Sequence, residues 1–321
     1  MSQITTIPAL IFISLFTGII MELWIPITIF AAFTQNLRSS LQKHLKGQLS
    51  TSGATFSRFV YAAPLALLYL AGLVEFVGYE IPEPSWKFAI YAMVGALAQI
   101  VATAFLVHIF SFRNFVVGTT FSKTETAQAA IFSVILLGEA ISVGAALGIA
   151  ISLVGVAMIS ITRVSLNIHD IARQCLELPA LYGVASGSMF AISAVAYRAA
   201  SLSLTGEDFL IKAAFTLAFL TVFQTIVMAI YMSVREPGQI KAVFTTWRIS
   251  GLVGLTGMLG SVGWVTAITL QNAAYVRALG QIELVFTFAV SYFAFHERLS
   301  RSEFAGIIFV VAGIFVLVAT R

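Results

Sequence analysis

The 321-residue sequence is poor in charge, with Asp, Glu, Lys and Arg making up 10% of it, whereas an ordinary soluble domain has roughly a quarter. Hydrophobic residues make up 59% and the mean hydropathy is +0.97, more apolar surface than a soluble chain of this length could hide. The solvent for most of it is therefore expected to be lipid. Cysteine is nearly absent: Cys175 stands alone, so an intrachain disulfide is excluded and no compartment can be read from it. No His, Cys, Asp or Glu pair has metal-site spacing, and there is no glycine-rich phosphate loop or hydrolase nucleophile motif. These absences exclude an ATP-driven pump on this chain and lead to the expectation of no metal, no cofactor, no catalytic residue and no enzyme activity. The 18 Lys and Arg outnumber the 14 Asp and Glu, but they are spread over short loops and form no patch, so nucleic acid is not an expected partner. Thr5 to Ile20 is apolar yet lacks the opening basic residues and the cleavage site of a secretory signal.

What the sequence does have is apolar runs. At about 20 residues per crossing, they predict helices near 24–42, 53–73, 87–110, 115–137 and 141–161, and again near 179–200, 209–233, 248–271, 273–295 and 302–320. Residues 1–21 are read as an interfacial or partly inserted extension, 22–163 as a first five-helix repeat, 164–178 as a polar linker and 179–321 as a second five-helix repeat. The repeat is visible at a shift of 158: Asn114 falls on Asn272, Glu125 on Glu283, Glu139 on Glu297, Gly148 on Gly306 and Gly155 on Gly313. An odd number of crossings per half turns the second half over. The expected fold is an all-α integral membrane protein of ten transmembrane helices, built as an inverted repeat of two five-helix bundles. The glycines, seven apart in each half, are assigned to close helix packing.

The segments FSKTETAQAAIFSVILLGEAIS and GQIELVFTFAVSYFAFHERLS each carry a Glu fourteen residues before a second Glu. With Trp24, Lys43 and Arg58-Phe59, they resemble the EamA-type transporters of the drug/metabolite transporter superfamily, over nearly all of residues 22–321. Two features depart from the family pattern. Thr126 and Leu284 stand where the family often has a proline after the mid-helix Glu, so a proline break is not expected there. The Arg-Leu-Ser that follows Glu297 also has no counterpart after Glu139. The resemblance implies secondary transport of a small organic metabolite by alternating access: an amino acid, an amine or a related zwitterion or cation, driven by protons or by exchange. It also implies a multi-pass protein of the bacterial cytoplasmic membrane, a monomer or homodimer whose partners are the bilayer and the small-molecule substrate. The rival readings are a multi-pass enzyme acting on lipid and a membrane scaffold without transport.

Glu125 and Glu283 sit about ten residues into their crossings, where a charge costs about 2.5–3.5 kcal/mol, and are candidates for proton or substrate binding. The alternative for each is a structural contact with a neighbouring helix. Lys123 lies at the same depth opposite Gln281 in the repeat, a chemical asymmetry suited to an asymmetric substrate; its alternative is an ion pair with another helix. Tyr61, Tyr91, Tyr197, Trp264 and Tyr275 are candidate cavity aromatics. Arg113, Arg277, His108 and His296 are read as anchors that snorkel from helix ends. The positive-inside rule puts the connections after the odd-numbered crossings in the cytoplasm and the C-terminus outside, whereas the resemblance implies both termini inside; a C-terminal reporter active only in the cytoplasm separates the two.

Overall fold

The computed structural model describes residues 23–113, 115–164, 177–295 and 300–320. The expected N-terminal extension, nearly all of the polar linker, Asn114, His296 and Glu297 lie outside these residues. Every regular element among the described residues is helical. The chain begins with α1 (Trp24–Leu45), α2 (Thr51–Gly72, running into a π-helical turn Leu73–Val77) and α3 (Trp86–Ile109). Two short helices follow, α4 (Phe115–Ser122) and α5 (Glu125–Leu137), and then α6 (Val143–Val164). The second half runs α7 (Leu178–Leu202), α8 (Phe209–Arg235), α9 (Pro237–Thr245), α10 (Trp247–Leu270), α11 (Ala273–Gly280), α12 (Glu283–Phe295) and α13 (Arg301–Ala319).

Local chemistry accounts for the boundaries. The side chains of Ser50, Ser85, Asp208, Asn272 and Ser300 accept backbone N–H groups at the starts of α2, α3, α8, α11 and α13. Gly138, at φ 66°, ends α5 in the left-handed region where a side chain would be strained.

Among the described residues, six helical stretches are long and apolar enough to cross a membrane on their own: Thr51–Val77, Trp86–Ile109, Leu178–Leu202, Phe209–Arg235, Trp247–Leu270 and Arg301–Ala319. α1 falls short because its polar residues are turned inward, with Thr28, Thr34, Arg38 and Gln42 all buried against the bundle. The helices expected at 115–137 and 273–295 are each broken in two, with arms of 8 and 13 residues. No proline marks either break. The chain passes through tight turns, with Lys123 N bonded to Thr120 O at 2.9 Å and Gln281 N to Ala278 O at 3.2 Å. α9 is a further addition, between the crossings expected at 209–233 and 248–271.

The bounds of α4, α5, α11 and α12 recur 158 residues apart, as does the start of the helix that follows each pair. The packing is reciprocal as well. α1 packs along α10 and α7 along α3, so the first helix of each half lies on the third helix of the other; α2 packs on α8, and α6 on α13. The α6–α13 contact is the glycine seam expected from the sequence: a Cβ on Gly155 would lie 2.6 Å from the Gly306 carbonyl, and one on Gly148 2.7 Å from that of Gly313. α5 ends where α11 begins, since Asn272 Nδ2 donates to Glu139 at 2.9 Å. The two broken helices therefore run in opposite directions.

Candidate functional site

The two breaks meet between the halves. At 1.5 Å per residue, an eight-residue arm reaches about 12 Å into the bundle and a thirteen-residue arm supplies about 20 Å more, so each break lies well inside. Glu125 and Glu283 become the first residues of α5 and α12, where the positive end of the helix favours a carboxylate. Each is paired with a cation of the opposite half. Lys123 Nζ forms an ion pair with the Glu283 carboxylate. Arg277 Nε lies 2.9 Å from Glu125 Oε1, an ion pair without the alignment of a hydrogen bond. The Arg277 guanidinium also stands 4.6 Å above the centre of the Trp264 ring. Glu283 accepts a further hydrogen bond from Gln35 at 3.0 Å, and Asn36 reaches the Glu283 carbonyl and the Thr287 hydroxyl.

A cavity of about 140 Å³ lies over this cluster, lined by Arg38, Lys123, Glu125, Arg277 and Glu283 among polar residues, with Leu106, Phe110 and Phe190 as its apolar wall. A second cavity of about 330 Å³ adjoins it through Thr119, Lys123 and Glu283 and extends to Lys43, whose ammonium stands 4.0 Å over the Phe115 ring. A narrow pocket on the other side of Arg277 is bordered by Arg58, Gln99, Tyr197, Gln224 and Trp264. There Tyr197 donates to Gln99 at 2.5 Å, and Gln224 Nε2 donates to Gln99 at 2.9 Å and to the Tyr197 hydroxyl at 3.0 Å.

Of the residues picked from the sequence, Lys123, Glu125 and Glu283 border the central cavity, and Tyr197 and Trp264 border the narrow pocket beside it. Gln281 is 2% exposed and is used in packing: it accepts from Ser152 at 2.6 Å and donates to Thr126 at 2.7 Å. Tyr61 reaches the Val243 carbonyl and the Phe244 ring near α9. Tyr275 accepts from Ser142 N at 3.2 Å at the far end of the bundle. Tyr91, 39% exposed, faces outward from α3.

The sequence reading missed the arginines. Arg277 does not snorkel; it is 8% exposed and lies among α5, α10 and its own helix. Its helix, only eight residues long, starts at one end and stops at depth, so a residue five positions in is already internal. Arg38 and Arg58, which fall inside the crossings expected at 24–42 and 53–73, are 2% and 3% exposed and sit within α1 and α2. Their positions inside apolar runs of membrane length were the available signal.

Where α7, α10 and α11 come together, a second ionic contact closes the bundle. Arg198 pairs with Glu139 at 2.6 Å, and its Nη1 donates to the carbonyls of Ile268, Thr269 and Gln271 at the C-terminal end of α10. A cation at these unpaired carbonyls is favourable.

Long apolar helices, helices broken at depth and ionic residues gathered around an internal cavity define a multi-pass integral membrane protein with the anatomy of a transporter. Comparison with known families agrees: the model described as the EamA-like transporter family matches residues 178–319. The resemblance drawn from the sequence is borne out by this match over residues 178–319, which is consistent with the drug/metabolite transporter superfamily. No curated protein matches the chain. A solved crystal structure of a protein is similar with a TM-score of 0.68 at 14% identity, over 94% of this chain and 97% of that one, a likeness of fold.

Proposed function

We propose that the chain is a secondary active transporter that carries a small organic metabolite across a bacterial cytoplasmic membrane by alternating access. In this reading, residues 22–163 and 179–321 are two five-helix repeats of opposite orientation, joined by the linker 164–178, and each broken helix counts as one of ten crossings. The observation that supports it most is the reciprocal pairing at the breaks, Lys123 with Glu283 and Glu125 with Arg277, across a cavity between halves that exchange packing partners. Such an arrangement has two related ways of closing, one at each end. The Arg198–Glu139 contact closes the end near α10's last turn, while the cavities extend toward Lys43 at the other. Glu125 and Glu283 are the candidates for coupling by proton binding, with solute exchange as the alternative drive. The substrate classes implied by the sequence are amino acids, amines and related zwitterions or cations.

Two measurements test the reading. Proteoliposomes loaded with unlabelled solute should take up the same labelled solute by counterflow. In a Cys175→Ser background, Thr119→Cys, on the wall shared by both cavities, should react with an impermeant thiol reagent from one side only, and added solute should change the rate. Counterflow absent for every class, with a Thr119→Cys rate that no solute alters, would refute alternating access. If Glu125→Gln and Glu283→Gln both transport normally at every pH, proton coupling through them is ruled out.

A further inference from the structure

Among the described residues, the charges around the central cavity do not balance. Three cations, Arg38, Lys123 and Arg277, line it with two anions, Glu125 and Glu283, and a fourth cation, Arg58, borders the narrow pocket beside it. Lys123 and Arg277 have their ion pairs. Arg58 donates to the Thr103 hydroxyl at 2.8 Å and lies 5.3 Å from the Phe59 ring centre, but has no carboxylate among the described residues. Arg38 forms no ion pair among them either: its nearest carboxylate, Glu125, is engaged by Arg277, and its own buried Nε has no hydrogen-bond partner among the described residues. The two arginines run side by side over Gly257, where an added Cβ would lie 3.2 Å from Arg58 Cγ and 3.5 Å from Arg38 Cδ. Glycine is what lets both side chains pass that helix.

An uncompensated charge at this depth is costly, and unpaired buried charge is otherwise avoided in proteins. Two such charges beside an open cavity have a use if the molecule that enters brings the missing negative charge. We infer that the transported substrate is a small organic dianion, a dicarboxylate or a phosphate monoester. Its acidic group is held by Arg38, with Lys123 and Arg277 on the same cavity wall and Arg58 behind. Guanidinium groups suit this role because they bind carboxylate and phosphate oxygens through paired N–H donors. The carbon skeleton lies against Leu106, Phe110 and Phe190. Lys43 and Lys123 both line the larger cavity, continue the positive potential along it and steer an anion inward. An amine meets three cations here, with Arg58 behind them, and a zwitterion neutralises none of the net excess. Among the classes implied by the sequence, those with additional carboxylates fit and simple amines do not.

This inference rests on the transport reading, and the experiment separates the two. Thermal unfolding of the purified full chain is followed with succinate, glycerol 3-phosphate, alanine and putrescine at constant ionic strength. Wild type should be stabilised by one or both dianions and by neither of the other two. Arg38→Met should melt higher than wild type without ligand, because an uncompensated charge is removed, and should bind the stabilising dianion about tenfold or more weakly. Arg38→Lys keeps the charge and should retain most of the binding. The inference is overturned if neither dianion stabilises, if alanine or putrescine stabilises preferentially, or if Arg38→Met leaves dianion binding unchanged. Counterflow of the bound dianion in vesicles is then measured: Arg38-dependent binding without counterflow sinks the transport reading alone, and counterflow of putrescine sinks the dianion assignment alone.

Discussion

Substituting Glu283 by Gln should destabilise the protein more than substituting its partner Lys123 by Met, although both changes break the same ion pair. Removing one member of a buried pair costs about 3–5 kcal/mol when the other is left without a partner. Here both side chains border a cavity and are 12% and 21% exposed, which lowers the expected cost to about 2–3 kcal/mol for an average single change. The surroundings then divide the two. Glu283→Gln raises the local excess of positive charge from two to three, while Lys123→Met lowers it from two to one. Glu283 also accepts from Gln35, a bond that a neutral amide replaces more weakly. Glu283→Gln should therefore lie at the upper end of the range and Lys123→Met below its middle, and the double variant should show a coupling of about 1–3 kcal/mol. At about 2 °C per kcal/mol for a chain of this size, tryptophan-monitored melting in detergent resolves these differences. If Lys123→Met is the more damaging change, or the coupling is below about 0.5 kcal/mol, the pair does not hold the breaks together and the charge count does not govern the site.

The glycines give a paired prediction. Gly155→Ala pushes a methyl into the Gly306 carbonyl and should cost about 1–3 kcal/mol, whereas Gly251→Ala, with open space around it in α10, should be neutral or stabilise by up to about 1 kcal/mol, both measured by melting. Ser300→Ala removes the hydroxyl from a capping box in which Ser300 N donates to Glu303 at 2.9 Å and Glu303 N to the Ser300 hydroxyl at 3.2 Å; the expected loss is about 1 kcal/mol, with faster amide exchange confined to the first turn of α13. Glu139→Gln weakens the hold on Arg198, and a cysteine placed at Thr269 should then react faster with a thiol reagent than in the parent; an unchanged rate would show that the charge does not keep this end shut.

The glycine seam between α6 and α13 and the long helices were legible in the sequence because lipid imposes length and apolarity on each crossing. The repeat was legible because five identities share one spacing. The breaks at Lys123–Thr124 and Gln281–Ile282 were not, since neither carries proline and the one glycine beside them, Gly280 at the end of α11, has no counterpart at the first break, where Ser122 stands. They coincide with cross-half contacts of Lys123, Gln281 and Glu283, which no spacing along one helix reveals. The candidate site was half legible. Buried carboxylates stood out against apolar neighbours, but their partner Arg277 lay near a chain position that reads as a helix end, and Arg38 was hidden by the polar residues around it in α1. Gln281 and Tyr275 had the right depth or chemistry and were drawn into packing contacts, a choice made by rotation about a helix axis.

The bonds of Arg198 also draw a fault line through the bundle. Three of its hydrogen bonds go to carbonyls of its own half, at the end of α10, and only Glu139 belongs to the other. Asn272, again of the second half, takes the other oxygen of the same carboxylate. If the halves part at this end, α7 and α10 leave together as one rigid piece with Arg198 still clasped to the backbone. Among the contacts of Arg198 and Asn272, what gives way is confined to the single carboxylate of Glu139, which on re-closure, together with the Ser142–Tyr275 contact, finds a socket that has kept its shape.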